Sequence, residues 1–174
     1  MAVMGKALLV VSVAVATVLG AGGVSGAGAV RPAVPPVPRV PGPSVTSPES
    51  DLAHHGHISL DADRLGVLLL SENHGPSDVG DATVRLAFSV PLVSGGNLPG
   101  GCLWSGDREV LCSTGGLRAD GMRRETVLEV RTAGLPHELT VRVATAWSGG
   151  ATDRNPDNND HWVLVPATGD PYVF

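Results

Sequence analysis

Acidic and amide side chains alternate with other residues near one end of the chain, at Asp153, Asn155, Asp157 and Asn159. Their oxygens have the spacing of a calcium-binding loop. An EF-hand would also need a glycine in place of Asn158 and a bidentate glutamate in place of Leu164. Asp and Asn are equally typical of turns, because their side chains hydrogen-bond nearby backbone groups. We therefore expect a polar turn here and no bound metal.

Three tryptophans have rings that could stack against a sugar. Trp147 continues the alternating pattern of Leu139, Val141 and Val143, which predicts that it packs in the core. Trp104 and Trp162 are the remaining candidates for a carbohydrate-binding platform, although buried tryptophan is also common.

Histidine is the other residue type that could bind a metal. His54, His55 and His57 could ligate zinc or copper. They follow a predicted linker, and Asp51 is the one acidic partner at close spacing, so we expect no metal site. The chain also lacks the motifs G-x-S-x-G, H-E-x-x-H and the P-loop. We expect no catalytic residues and no cofactor.

The two cysteines, Cys102 and Cys112, enclose a segment that reads as a β-hairpin. If Ser105 pairs with Glu109 around a turn at Asp107, the two cysteines lie directly opposite each other. Facing strand residues stand ~4.5–5.5 Å apart at Cα, which a disulfide can span. We therefore predict a Cys102–Cys112 disulfide.

The residues discussed so far lie in a domain that is preceded by two other segments, a leader and a linker. Residues 1–29 resemble a secretory signal peptide, with a charge at Lys6, an apolar run, and small residues ending at Ala29. An uncleaved anchor is the alternative, but the apolar run is short for a bilayer core of about 30 Å. Residues 30–50 contain seven prolines and predict a disordered linker. Residues 51–174 then form one domain.

The charge of the chain limits its partners. Loss of Lys6 with the leader leaves 11 basic and 17 acidic residues, a net charge of −6, and no lysine. An acidic domain without basic clusters gains nothing from counterion release on nucleic acid. Anionic lipid should repel it as well. We expect neither nucleic acid nor, once the leader is removed, membrane as a partner.

Short segments of period two, separated by turn residues, predict an all-β domain. Val84, Leu86 and Phe88 form one such apolar face, and Leu65 to Leu70 reads as a strand buried on both faces. No segment shows the apolar stripe of an amphipathic helix. We predict an immunoglobulin-like antiparallel β-sandwich of seven or eight strands, with a closed barrel as the alternative.

The segment N-H-G-P-S-D, starting at Asn73, resembles the Asn-Gly-Pro-Ser turn of a bacterial immunoglobulin-like surface repeat, kin of the cell-adhesion-related domain of bacteria. A cysteine hairpin, a Gly116-Leu117 turn and a Pro-Asp-Asn-Asn turn at Pro156 follow in the order that is typical of that family. The resemblance covers most of residues 65–165 and implies a non-enzymatic, extracellular module.

From these observations we expect a secreted structural or interaction module, of which adhesion is one form. Its partner would be an extracellular protein or an envelope component. The alternatives are a carbohydrate-binding module that uses exposed tryptophan, a secreted hydrolase and a protease inhibitor. A hydrolase predicts a deep pocket with a histidine close to Ser or Asp, whereas a carbohydrate-binding module predicts coplanar exposed tryptophan rings.

Overall fold

The computed structural model describes residues 46–174. The predicted signal peptide and residues 30–45 of the predicted linker lie outside the described residues. Within residues 46–174, no helix has the length and apolar character needed to cross a membrane.

The described residues form eleven β-strands and a short 3₁₀ helix, η1. In chain order these are β1 (Glu49–Ser50), β2 (Leu52–Asp61), β3 (Arg64–Asn73), β4 (Thr83–Phe88), β5 (Cys102–Trp104), β6 (Glu109–Ser113), β7 (Arg124–Arg131), β8 (Glu138–Trp147), β9 (Thr152–Asp153), η1 (Pro156–Asn159), β10 (Asp160–Pro166) and β11 (Tyr172–Val173).

Two antiparallel sheets face each other. One has the strand order β10-β8-β4-β6-β5, and the other has the order β11-β2-β3-β7. Pairing of β2 with β3 and of β3 with β7 in one sheet, opposite β10-β8-β4 in the other, is the arrangement of an immunoglobulin-like sandwich. The predicted fold class is therefore confirmed, with eight strands of three or more residues in the described part of the chain.

The core lies between the two sheets because each strand buries alternate side chains. In β4, Val84, Leu86 and Phe88 are buried, as their spacing predicted. In β3, Leu65, Val67 and Leu69 are buried in the same way. The prediction that β3 is buried on both faces is wrong. Its alternate residues, such as Leu68 and Leu70, are only half-buried, since they point to the outer face of their sheet.

The predicted hairpin and its disulfide are present. Cys102 pairs with Cys112, and their Cα atoms are 4.0 Å apart. The Ser105 amide donates to the Glu109 carbonyl at 2.9 Å, which closes the predicted turn. Cys112 is buried in the core cluster, and Cys102 packs against that cluster from the edge strand β5. The disulfide therefore fixes the edge of the five-stranded sheet to the core.

One of the tryptophan predictions is wrong. Trp147 is 52% exposed rather than buried. The pairing of β4 with β8 shifts by one residue between Thr83 and Val84, so that Val84 lies opposite Thr145 and Thr83 opposite Trp147. This β-bulge adds one residue to β8 and reverses the alternation beyond it, because side chains on a strand have a period of two.

The last two residues of the predicted linker form the short strand β1. β1 pairs in parallel with β9, Glu49 with Thr152 and Ser50 with Asp153, and Ser50 is fully buried. These two strands form a small sheet of their own, separate from the two large sheets. A strand of two residues is too short to produce an alternating pattern, so periodicity could not predict it.

We predict that replacing both cysteines with alanine lowers the free energy of unfolding by about 2–3 kcal/mol and preserves the fold. The cross-link limits the unfolded chain, and the loop that it closes is short. Chemical denaturation of both forms measures the difference. Intact-mass measurement before and after reduction with alkylation tests the bond, and two freely alkylated thiols in the native protein would contradict the pairing.

Candidate functional site

The two tryptophan candidates lie on opposite faces of the five-stranded sheet. Trp104 is half-buried on the core-facing side of β5, where it packs against the core cluster and its Nε1 donates to the Gly96 carbonyl at 3.3 Å. Trp162 projects from the outer face of β10 and is 69% exposed. The structure does not bring the two rings together, so they cannot form one flat platform.

Trp162 has a fixed cationic neighbour. It lies opposite Arg142 of β8, whose guanidinium carbon is 5.3 Å from the centre of the indole ring. Arg142 donates two hydrogen bonds to Asp160, from Nε at 2.9 Å and from Nη2 at 2.6 Å. These bonds lower the pKa of the Asp160 carboxyl, and that carboxylate in turn raises the pKa of Arg142. The pair holds a cation over one face of the ring, which is a favourable cation–π contact.

A shallow groove of about 280 Å³ begins at Trp162 and crosses the outer face of this sheet. Arg142 of β8 lies opposite Ala87 of β4, and Ala87 lies opposite Glu109 of β6. The small side chain of Ala87 leaves the space, and Arg85, two residues earlier on β4, lines one side of it. We call this the Trp162 groove. The groove is lined by the exposed ring of Trp162 at one end and by the charged side chains of Arg85 and Glu109 at the other.

The four candidate calcium ligands do not all converge. Asp153 accepts hydrogen bonds from the Leu52 amide at 3.3 Å, the Asn159 side-chain amide at 2.7 Å and the Asn155 amide at 3.0 Å. Asn155 and Asp157 are exposed. Within residues 46–174 no group of three or more His, Cys, Asp or Glu side chains is placed to hold a metal. The arrangement has the hydrogen bonds of a polar turn that connects η1 to β2.

Two of the segments that were compared with a surface-repeat family, the turn at Asn73 and the turn at Gly116-Leu117, meet at one end of the sandwich. Asn73 is fully buried, and its Oδ1 accepts from the amides of Asp51 at 3.2 Å and Gly75 at 3.0 Å. Its Nδ2 donates to the Ser77 carbonyl at 2.8 Å. A Cβ at Gly75 would lie 2.5 Å from the backbone of Asp51, so only glycine fits there. A second small apolar cluster fills this end, formed by Leu52, Val79, Ala82, Leu117 and Ala151.

The three histidines lie within β2 rather than beside a linker, and their side chains diverge. His54 points inward and is fully buried, whereas His55 on the opposite face is exposed. The ring of His54 contacts two hydroxyls, Ser71 Oγ at 3.1 Å from Nδ1 and Thr145 Oγ1 at 2.9 Å from Nε2. Both ring nitrogens thus have partners. Burial is the main cause that lowers the pKa of His54 to about 4, and the nearby His161 and His55 contribute.

Ser71 and His54 are residue types that a hydrolase uses, but here both side chains are buried and closed to a substrate. Ser71 is 1% exposed and His54 is 0% exposed, so no substrate can reach the hydroxyl without opening the sandwich. The second nitrogen of His54 contacts Thr145 instead of the carboxylate that orients a catalytic histidine. Its inward position could have been predicted, because His54 is in phase with Ile58 and Leu60.

Comparisons with known proteins add little. No protein-family model matches the chain, and no curated protein matches it. A search of solved structures finds β-glucosidase 3B from Thermotoga neapolitana in complex with α-D-glucose, at 18% identity and a TM-score of 0.44. The match covers 72% of this chain and 17% of that one. A similarity this low carries no argument about fold or function.

We predict that Asn73→Ala lowers the free energy of unfolding by about 2–4 kcal/mol. The change leaves the amides of Asp51 and Gly75 and the carbonyl of Ser77 without their partner, and a buried unsatisfied group costs about 1–3 kcal/mol. Denaturant titration measures the loss. Asn97→Ala, at an exposed position, is the control and should have almost no effect. Equal stability of the two variants would contradict the assigned contacts.

We predict that the protein loses stability as the pH falls from about 6.5 toward 4, through His54. The unfolded state takes up a proton at the ordinary pKa, whereas the folded state holds the ring neutral until about pH 4. The stabilisation is therefore fully present above pH 6.5 and decreases below it, by on the order of 3 kcal/mol in total.

The free energy of unfolding of His54→Gln, measured from pH 7.5 to 4, should depend less on pH than that of the unchanged protein, even though the variant is less stable throughout. His137→Gln removes an exposed histidine and should keep the original pH dependence. An unchanged slope in His54→Gln would rule out His54 as its source.

Proposed function

We propose that this protein is a secreted, non-enzymatic interaction module of the bacterial cell exterior. Residues 1–29 have the pattern of a signal peptide, and residues 30–50 are rich in proline. A disulfide in a small sandwich fits an oxidising compartment. These observations support export, and the sandwich supplies a rigid body that presents a surface to a partner.

The main support for an interaction module is the exposure of the Trp162 side chain. The ring is 69% exposed on a flat sheet face, and the neighbouring Leu164 on the same face is 55% exposed. Tryptophan and arginine are the residues most enriched where proteins bind their partners. Exposed apolar side chains of this size mark contact surfaces when they gather beside polar groups. The outer face of β8 and β10 is therefore the proposed contact surface.

Two further features favour binding over catalysis. The Trp162 groove is open and shallow, so it offers no site that excludes water from a reaction. The buried His54 contacts hydroxyls that substrate cannot reach. These features support the proposal of a module that binds through a preformed surface.

We predict that N-terminal sequencing of the protein from culture fluid begins at Val30 or within a few residues of it. Cleavage after Ala29 follows from the small residues that end the apolar run. The same preparation should bind to washed envelope fractions of its own cells, and Trp162→Ala should weaken that binding. Trp104→Ala is unsuitable as a control because Trp104 packs on the core, whereas Val127→Ala removes an exposed apolar side chain from β7 in the other sheet and should bind normally.

Two results would overturn the proposal. One is Met1 intact in a membrane pellet with none in the culture fluid, which would mean an anchor. The other is envelope binding that Trp162→Ala leaves unchanged while its thermal midpoint matches that of the unchanged protein.

A further inference from the structure

One edge of the five-stranded sheet carries backbone groups that have no partner in the described part of the chain. β10 is that edge strand, and β8 is its one neighbour in the sheet. The Thr140 carbonyl accepts from the Ser89 amide at 2.9 Å, on the side of β8 that faces away from β10. Leu164 lies opposite Thr140 and therefore directs its own N–H and C=O away from β8, because the bonding side alternates along an antiparallel strand. Trp162, two residues earlier, does the same.

Exposed apolar side chains accompany these free backbone groups. Trp162 is 69% exposed and Leu164 is 55% exposed, both on the outer face. The charged groups beside them, Arg142 and Asp160, bind each other through two hydrogen bonds. Proteins commonly protect an edge strand by a bulge, an inward-pointing charge or a very short length. β10 has seven residues, a continuous register with β8 and buried valines on its inner face, so it lacks all three protections.

The other edge strands of the two large sheets differ from β10. β5 and β11 have only three and two residues. β7 is longer, and its Arg131 carbonyl accepts from the Val93 amide rather than from β3. By alternation, Glu125, Val127 and Glu129 direct their backbone groups to that same free side. Two copies paired about Val127 would place Glu125 opposite Glu129, and like charges directly opposite each other are destabilising. Charge therefore protects β7 against self-pairing, whereas β10 has no equivalent protection.

The sequence of β10 is complementary to itself about a two-fold axis. An axis that passes between the Val163 residues of two copies places Trp162 of each copy opposite Leu164 of the other. Each such pair exchanges two backbone hydrogen bonds, so every free group of the two residues gains a partner. The indole and the leucine side chain then contact each other across the strands, as stabilising cross-strand pairs do. Pro166 ends the pairing, because it has no N–H and its carbonyl already accepts from the Thr168 amide at 2.9 Å.

We propose that two copies of this chain pair through the free edges of β10, which joins their five-stranded sheets into one continuous sheet. The pairing depends on the edge of β10 alone, and its consequence for partner binding rests on the proposed function. In the dimer the contact surfaces of the two copies become adjacent, with two Trp162 and two Leu164 side chains at the centre. A repetitive partner on this surface then contacts both copies at once, which raises its apparent affinity.

Sedimentation equilibrium of the purified protein tests the proposal. The mass should rise from monomer to dimer as the concentration is raised to about 300 µM, as expected of a contact in the small, weak class of interfaces. Association should strengthen with salt, because each copy carries a net charge of −5 and the contact itself is apolar. Hydrogen exchange by NMR then identifies the edge. The amides of Trp162 and Leu164 should become protected in the dimer, and those of Val127 and Glu129 should not.

A matched pair of variants separates the two long edges. Leu164→Glu should weaken dimerisation by roughly tenfold or more, because it removes an apolar cross-strand contact and adds a like charge to each copy. Val127→Glu makes the same kind of change on the free edge of β7 and should dimerise like the unchanged protein. Both side chains are about half exposed, so both variants should keep the thermal midpoint of the unchanged protein. A loss of association in Leu164→Glu is then not a folding defect.

Three results would overturn the inference: a monomer at every concentration, a dimer that Leu164→Glu leaves intact, or protection of the Trp162 and Leu164 amides already in the dilute monomer. The last result would mean that another segment of the chain, such as residues 30–45, covers the edge. The outcome is separable from that of the proposed function. A monomer that binds the envelope through Trp162 refutes only the dimer, and a dimer that binds no envelope fraction refutes only the proposed function.

Discussion

The sandwich depends on one constraint, the burial of a single face of each strand between two sheets. Ile58 and Leu60 of one sheet and Val84 and Leu86 of the other are fully buried, and one core cluster contains them all. Because side chains alternate, a single inserted residue moves every later side chain to the opposite face. The bulge opposite Thr83 does this in β8. Thr145, before the bulge, keeps the inward position at which its hydroxyl meets His54, whereas Trp147, after the bulge, points outward.

A second, polar network completes the end of the sandwich at which β1 enters. Asn73 binds the turn after β3, and Asp153 with Asn159 binds the start of β2. These bonds close the turn around Gly75, span the short helix η1, or join the start of β2 to Asp153, which is distant in sequence. Asn73, Asp153 and Asn159 thus have a structural role in this chain. They hold the N-terminal strands, and the Trp162 groove lies on the outer face of a different sheet.

His54 and Trp162 differ in burial and therefore in role: the buried side chain stabilises the fold, and the exposed side chain is available for binding. His54 is a polar side chain held inside, where two hydroxyls satisfy it and burial keeps its pKa low. Trp162 is an apolar ring held outside, where the pair of Arg142 and Asp160 fixes its surroundings. Hydrogen bonds to its partners offset the desolvation cost of a buried polar group. The exposed surface of an aromatic ring, in contrast, is available for contact with a ligand.

The sequence by itself determined the class of fold, the buried face of β4, and the disulfide. Alternation is a local property, and the pairing of Cys102 with Cys112 follows from one short turn at Asp107. Tertiary structure alone decided the position of Trp147, the strand at Glu49 and the contact of Trp162 with Arg142. Each of these depends on register between strands far apart in the chain. A bulge or a two-residue pairing changes that register without changing the local pattern, so no periodicity in the sequence records it.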